Sequence, residues 1–392
     1  MSRPSMFSDS PNARSKTITT APGPYTHGAL NQHPSQPFGY SIGLSEDTGS
    51  RRTMEDAHSF VADFAGVRGQ GYFAVFDGHA GKHAAEWCGA HFHEYLLDAL
   101  DSDSLLASGP SATGGTTITG ASTIPDVLNK TFHNVDAELS RMADEGQTHS
   151  GCTAVTAFLR LEDDHGRQPL SFVRSARRGS IVATTPSTIA TTPSGLSITG
   201  APPSTEPESI FPRKASADAD PVSSPLTTNG HDLSANIFSD ATRKVLYTAN
   251  AGDARAVLSR GGRAIRLTYD HKGSDAQEAR RIKEAGGFVM NNRVNGVLAV
   301  TRSLGDSSMK EFVVGSPYTT ETELGDEDDL LIIACDGLWD VIEDQAAVDL
   351  IRNEQDPQVA SKRLVDYALK HFSTDNISVL VVRFHPSTSS PS

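Results

Sequence analysis

Residues 71–81 read GYFAVFDGHAG, a run of mostly apolar residues that ends at an acid, a glycine and a histidine. The apolar part, Tyr72–Phe76, predicts a buried β-strand because aromatic and aliphatic residues fill it and glycines bound it. A carboxylate that is buried without a partner is costly, and a bound cation would remove that cost. The end of this strand is therefore a candidate cation site, and the rest of the chain must supply the other ligands.

The same combination of an apolar strand and an acid recurs along the chain. Three further predicted strands each have an acid at or near one end: Leu330–Cys335 with Asp336, Val245–Asn250 with Asp253, and Ile377–Phe384 with Asp375. Upstream of all of them, residues 51–56 (RRTMED) add Glu55 and Asp56. If these strand ends converge, so many like charges cannot all stay ionised unless cations lie among them.

The residue types indicate which cation would bind. The candidate ligands are nearly all oxygens, which suit Mg²⁺ or Mn²⁺ better than zinc. A carboxylate set of this size can hold two ions about 3.5–4 Å apart, as hydrolytic two-metal centres do. Each Asp–Gly pair taken alone is most simply a turn, and only the repetition favours a metal centre. His79 and His83 are four residues apart, but Ala80 stands where an HExxH zinc motif requires glutamate.

The remaining pattern predicts an α+β fold. It indicates two more strands, Thr153–Leu159 and Ala254–Ser259, and helices over 80–100, 125–145, 274–286, 344–353 and 357–372. The short link NAGDA at 250–254 predicts an antiparallel hairpin between its flanking strands. Because the helices cluster between groups of strands, we expect a central antiparallel β-sandwich flanked by helices on both faces. The acidic run 326–329 is expected to be a solvated turn.

Composition limits the class of protein. The net charge of −14 over 392 residues argues against a nucleic-acid partner, and no apolar stretch is long enough to predict a membrane span. Three cysteines without a CxxC pair support neither a disulfide framework nor a zinc ribbon. The N-terminal residues also lack the apolar run of a secretory signal, so a soluble intracellular protein is expected. Residues rich in Ser, Thr and Pro predict disordered tails at 1–37 and 385–392, and flexible insertions at about 101–124 and 161–240 in a domain spanning 38–384.

The ordered blocks of this chain resemble those of the metal-dependent type 2C serine/threonine protein phosphatases. The matching blocks are RRTMEDAH, FAVFDGHAG, SGCTAV, NAGDARAV, DHKGSDAQEARRIKEAGG, RVNGVLAVTRSLGD, ACDGLWD and TDN. They cover about 38–160 and 241–384. The resemblance implies two antiparallel sheets packed face to face with helices outside, which agrees with the pattern above.

The resemblance also implies a role for each candidate site residue. Asp77 would bridge two metal ions, and Glu55 and the Gly78 carbonyl would hold one of them. Asp336 and Asp375 would hold the other ion. Asp253, with Asp336 shared, would help to bind a weaker third ion, and Asp56 and Asp340 would be supporting acids. Arg51 would bind the substrate phosphate through its guanidinium fork, and His79 would be the general acid.

The implied activity is Mg²⁺- or Mn²⁺-dependent hydrolysis of phosphoserine and phosphothreonine by a hydroxide that bridges the two ions. Phosphorylated proteins would be the substrates, with a MAP kinase or its upstream kinase expected from a role in damping stress-activated signalling. We expect a monomer in the cytoplasm, the nucleus or both, without nucleic-acid or membrane partners. One alternative is a catalytically inactive, phosphatase-like binding module, which should lack one of the metal acids. Another is a different two-metal hydrolase such as a phosphodiesterase, which would not keep the order of the blocks.

Overall fold

The computed structural model describes residues 39–103, 105, 122–168 and 242–385, together with the backbone of 13–16 and 26–27. The strands are β1 Ala13–Lys16, β2 Thr26–His27, β3 Tyr40–Asp47, β4 Ala57–Ala62, β5 Gly71–Phe76, β6 Gly78–His79, β7 Gly151–Cys152, β8 Ala154–Glu162, β9 Arg243–Ala251, β10 Arg255–Arg260, β11 Arg263–Arg266, β12 Val289–Met290, β13 Arg293–Val294, β14 Leu304–Gly305, β15 Tyr318–Leu324, β16 Asp328–Ala334 and β17 Ile377–Phe384. The helices are α1 His83–Ser102, α2 Ile124–Asp144, α3 Ala276–Glu284, α4 Asp336–Trp339, α5 Asp344–Ile351 and α6 Pro357–Lys370.

Two large antiparallel sheets carry the fold. The first sheet has the strand order β1-β3-β17-β16-β10-β11, and the second has the order β15-β9-β8-β5-β4-β2. A small sheet, β14-β7-β6, and the hairpin β12-β13 complete the strand pairing of the described residues. The predicted α+β class with antiparallel sheets is confirmed.

Side-chain alternation along β5 shows how the layers are built. Phe73 and Val75 pack in a core shared with strands of the first sheet, which lies between the two sheets. Tyr72, Ala74 and Phe76 point to the other face and pack against α1 and α2. A third core joins the outer face of the first sheet to α4, α5 and α6. The result is the expected sandwich with helices on both faces.

One predicted hairpin is wrong. The strands on either side of the NAGDA link do not pair with each other, because β9 pairs with β8 and β15 whereas β10 pairs with β11 and β16. Residues 252–254 therefore cross from the second sheet to the first. Both strands are buried along nearly all their length, so each needs partners on both edges within its own sheet. The length of the link cannot reveal this.

The structure also corrects the acidic run 326–329. Asp328 begins β16, and its buried carboxylate accepts a hydrogen bond from Arg260 Nε at 2.8 Å. The prediction of a solvated turn is therefore wrong for this residue.

The predicted insertions and tails lie largely outside the described residues. The residues outside the description are 104, 106–121, 169–241 and 386–392, and those of 1–38 that do not belong to β1 or β2. β1 and β2 lie within the predicted tail 1–37 and pair with β3 and β4 at the sheet edges. β8 continues to Glu162, which pairs with Arg243 of β9, so the strand extends two residues into the predicted insertion. The adjacency of β8 and β9 agrees with an insertion between hairpin partners.

No helix among the described residues has both the length and the apolar character needed to cross a membrane.

Candidate active site

Five aspartates from both large sheets meet at one end of the sandwich. In the second sheet, Asp77 follows β5 and Asp56 precedes β4. In the first sheet, Asp336 follows β16 and Asp375 precedes β17, and Asp253 lies in the link that crosses between the sheets. Burial and the charges of Asp56, Asp336, Asp253 and Asp375 raise the pKa of Asp77 well above its usual range. The predicted convergence of these strand ends is therefore present in the fold.

Lys272 partly offsets the acidic charge on one side of the cluster. Its Nζ donates a hydrogen bond to Asp340 Oδ1 at 2.9 Å and lies 4.0 Å from Asp253 Oδ2. Burial raises the pKa of Asp253 to about 6, and the charge of Lys272 limits that rise. Burial, followed by the charges of Asp253, Asp340 and Asp375, raises the pKa of Asp336 well above its usual range. One ammonium group thus leaves most of the carboxylate charge uncompensated.

Asp56 supplies the clearest sign that a cation belongs here. Both of its carboxylate oxygens are buried, and neither has a hydrogen-bond partner in the described part of the chain. Burial is the main cause that raises its pKa to about 7, and the polar Ser378 hydroxyl and Cys335 thiol nearby limit that rise without making a hydrogen bond of normal geometry to it. Ligand atoms of Asp56, Asp77 and Cys335 all lie within 4.8 Å of one another. An unpaired buried carboxylate beside others is the environment that a bound cation would relieve.

The donor set fits a hard cation. The Cys335 sulfur donates to the Asn376 carbonyl at 3.4 Å and accepts from the Ser378 N–H at 3.2 Å, and burial raises the pKa of its thiol. Only carboxylate and carbonyl oxygens are then left as ligands, which suits Mg²⁺ or Mn²⁺.

Glu55 and Gly78 lie next to each other, as the predicted shared ligation requires. A Cβ atom on residue 78 would be 2.2 Å from the Glu55 carbonyl oxygen, so only glycine permits this approach. The Glu55 N–H donates to Asn376 Oδ1 at 2.8 Å. Its carboxylate accepts from the Gly81 N–H and the Thr53 hydroxyl, both at 3.2 Å. These bonds fix the Glu55 side chain beside the loop that carries Asp77.

Arg51 lies at the open edge of the cluster. Its Nη2 donates to Asp375 Oδ2 at 2.6 Å, while 57% of its side chain remains exposed. The guanidinium is therefore held by one contact and still has donors that can reach an incoming phosphate.

The small sheet places His79 beside an acid that the sequence analysis did not assign. β7 pairs with β6 on one side and with β14 on the other, which brings the loop after β14 to His79. His79 Nε2 lies 2.7 Å from Asp306 Oδ2, and the Ser303 hydroxyl donates to the same oxygen. Asp306 ends the block RVNGVLAVTRSLGD, and Lys272 lies in DHKGSD. Both blocks indicated the family in the sequence. Neither block predicted that Asp306 contacts His79 or that Lys272 contacts Asp340.

Comparison with known proteins identifies the family. The family model "Protein phosphatase 2C" matches residues 40–164 and 216–377. The chain belongs to the protein phosphatase 2C family. It is 38% identical over 360 residues to protein phosphatase 2C homolog 1 of Saccharomyces cerevisiae, covering 91% of this chain and 98% of that protein. It is 37% identical over 358 residues to protein phosphatase 2C homolog 1 of Schizosaccharomyces pombe, covering 90% and 75%.

Solved structures agree with this family at the level of the fold. A serine-threonine phosphatase 2C from Toxoplasma gondii superposes with a TM-score of 0.59 at 17% identity, covering 96% of this chain and 100% of that one. A C. elegans sex determining protein gives the same TM-score at 22% identity, covering 89% and 65%. The predicted family, fold and enzyme class, a protein-serine/threonine phosphatase, are confirmed.

Membership in the protein phosphatase 2C family supports two further predictions in their general form. Family members depend on Mg²⁺ or Mn²⁺ and act on phosphoproteins, as was expected for this chain. The number of ions and the individual roles of Arg51, His79 and the acids stay predictions, although the structure places all of them in or beside one cluster.

Proposed function

We propose that this protein phosphatase 2C hydrolyses phosphoserine and phosphothreonine in proteins with two divalent ions in the acidic cluster. The observation that carries the proposal is the convergence of carboxylates with buried, unpaired oxygens from both sheets. Glu55, the Gly78 carbonyl and Asp77 would hold one ion, and Asp77, Asp336 and Asp375 the other. Asp253, with Asp336 shared, would contribute to a weaker third.

The chain's own residues perform the remaining tasks. When bound, the cations supply positive charge that offsets the phosphate dianion, and Lewis acidity that makes a water molecule nucleophilic near neutral pH. Arg51 binds two phosphate oxygens through its free N–H groups and orients the ester. His79 gives a proton to the leaving serine or threonine oxygen. Because Asp306 engages Nε2, Nδ1 is the ring nitrogen left for that transfer.

A second part of the proposal concerns the substrates and the location of the enzyme in the cell. We propose that the substrates belong to a stress-activated MAP kinase pathway, as the MAP kinase or its upstream kinase, and that the enzyme acts as a monomer in the cytoplasm, the nucleus or both. The support is the resemblance of the ordered sequence blocks. Phosphoproteomics of a strain that lacks the protein, under osmotic stress, tests this part: phosphosites of that pathway should rise and persist.

The activity is tested with a phosphothreonine peptide. Hydrolysis should require Mg²⁺ or Mn²⁺, stop with EDTA and resist okadaic-acid-type inhibitors. A protein that binds the phosphopeptide without releasing phosphate would instead be the inactive binding module. One that cleaves only phosphodiesters would be a different two-metal hydrolase.

A further inference from the structure

We infer that the ring of Phe372 forms part of the substrate-binding rim and contacts an apolar side chain that flanks the phosphoresidue. This inference rests on the proposed function and adds a preference for an apolar residue near the phosphoresidue of the substrate. It starts from an exposed aromatic residue at the C-terminal end of α6. Phe372 is 87% exposed, the largest exposed fraction of any large apolar side chain in the described part of the chain.

The backbone of Phe372 adopts a conformation that suits glycine. α6 ends in a Schellman motif, in which the Ser373 N–H donates to the Ala368 carbonyl and the Phe372 N–H donates to the Leu369 carbonyl. Phe372 occupies the left-handed position of this motif, with φ of +62°. The other non-glycine residues with positive φ in the described ranges are all Asp, Asn or Ala. A bulky residue here is unfavourable for the fold alone.

The same segment is fixed to the acidic cluster on two sides. The Ser373 hydroxyl donates to the carbonyl of Gly337, the residue after Asp336, at 2.7 Å. On the other side, the Ser50 hydroxyl donates to the Thr374 carbonyl at 2.8 Å. Phe372 is therefore near Asp375 in the sequence, and its segment is hydrogen-bonded to the loop that carries Arg51. A phosphoresidue bound at Arg51 brings its neighbouring residues to this rim.

The neighbouring side chains leave the ring available for a partner. The His371 ring stacks on Tyr367 with centroids 3.7 Å apart, and its Nδ1 lies 2.8 Å from the Tyr367 carbonyl oxygen. Phe372 has no such ring contact within the described residues. Arg51 and Arg52 are exposed in the loop that the Ser50–Thr374 hydrogen bond ties to this segment. The rim thus combines cations for the phosphate with one apolar contact, which fits a phosphopeptide that carries an apolar side chain.

The test uses the full-length protein and phosphothreonine peptides in which a single leucine is moved along a serine-rich flank. The parent protein should show the highest kcat/KM for one leucine position, by about fivefold or more over the peptide without leucine. Phe372→Asn and Phe372→Gly, which suit a positive φ, should lose this preference. Phe372→Tyr should keep it. Ile265→Thr, which changes an exposed apolar residue on β11, is the matched control and should keep it too.

Two further measurements separate this role from others. Phe372→Asn should raise the melting temperature by about 1–3 °C, because the strain is relieved. A fall would show that the ring supports the fold and would overturn the argument. Light scattering should give the same mass for parent and variant, since a change would assign the ring to self-association.

The inference and the proposed function fail in distinguishable ways. If the parent hydrolyses no phosphopeptide with either metal, the proposed function fails. If it hydrolyses all peptides with equal kcat/KM, or if Phe372→Gly keeps the leucine preference, only the inference is overturned.

Discussion

Replacing Asp56 by asparagine should make the metal-free protein markedly less sensitive to rising pH. The pKa of this buried carboxyl is raised from 3.8 to about 7, with burial as the main cause. In the unfolded chain the group ionises near its usual pKa. Between the two values the folded protein holds a proton that the unfolded chain has released, so the free energy of unfolding falls as the pH rises.

The size of the effect follows from the two pKa values. A tenfold change in proton affinity is worth about 1.4 kcal/mol, so ionising Asp56 in the folded protein costs about 4 kcal/mol. Below pH 3.8 this penalty is absent, and above pH 7 it is complete. Asparagine has nearly the shape of the protonated acid and does not titrate. The free energy of unfolding of the variant minus that of the parent should therefore increase by about 4 kcal/mol between pH 4 and pH 8.

The assay is urea unfolding of both proteins at several pH values in EDTA, repeated with Mg²⁺. Asp98→Asn, at an exposed position on α1, is the control and should leave the profile unchanged. Adding Mg²⁺ should stabilise the parent at pH 8, because bound cations offset the carboxylate charges. If the parent's stability rises with pH in EDTA, or if Asp56→Asn leaves the slope unaltered, the electrostatic account of the cluster is refuted.

Three other changes test separate parts of the site. Asp77→Asn should abolish phosphopeptide hydrolysis and the Mg²⁺-dependent rise in melting temperature, while circular dichroism shows a folded protein; full activity would disprove the site assignment. Asp306→Asn should lower kcat about tenfold or more for a phosphothreonine peptide, because His79 loses the carboxylate that orients and charge-stabilises its ring. The loss should be smaller for p-nitrophenyl phosphate, whose leaving group needs little protonation. Replacing 169–241 with a short Gly–Ser linker should keep hydrolysis of that small ester, since β8 and β9 already pair; complete loss would contradict a dispensable insertion.

The elements that the sequence predicted share a strong local pattern. β17 begins and ends where the apolar run Ile377–Phe384 does, and α2 begins within one residue of its prediction. Asp77, Asp253, Asp336 and Asp375 were predictable because each lies within two residues of such an apolar run, whereas Glu55 and Asp56 precede a strand, β4, that the sequence analysis did not predict. Local pattern was enough wherever burial alone decides the conformation.

The strands that were missed depend on partners far along the chain. β3, with the sequence YSIGLSED, is buried although half of it is polar. Glu46 is paired with His58 at 2.6 Å, and the Ser45 hydroxyl lies 3.0 Å from that of Ser361. A polar residue paired across the fold looks like a loop residue in the sequence, so its burial could not be predicted. The contacts of Asp306 and Lys272 were hidden for the same reason.

The error over the NAGDA link explains how the site is assembled. Within a single sheet, a β9–β10 hairpin would have left Asp253 on one layer, away from acids on the other. Because β5 belongs to the second sheet and β16 to the first, Asp77 and Asp336 approach only where the two layers meet. The crossing link runs through that place, and Gly252 makes it possible, with φ of +120° and no room for a Cβ beside Thr153. The cluster is therefore a property of two packed sheets and not of any one strand end.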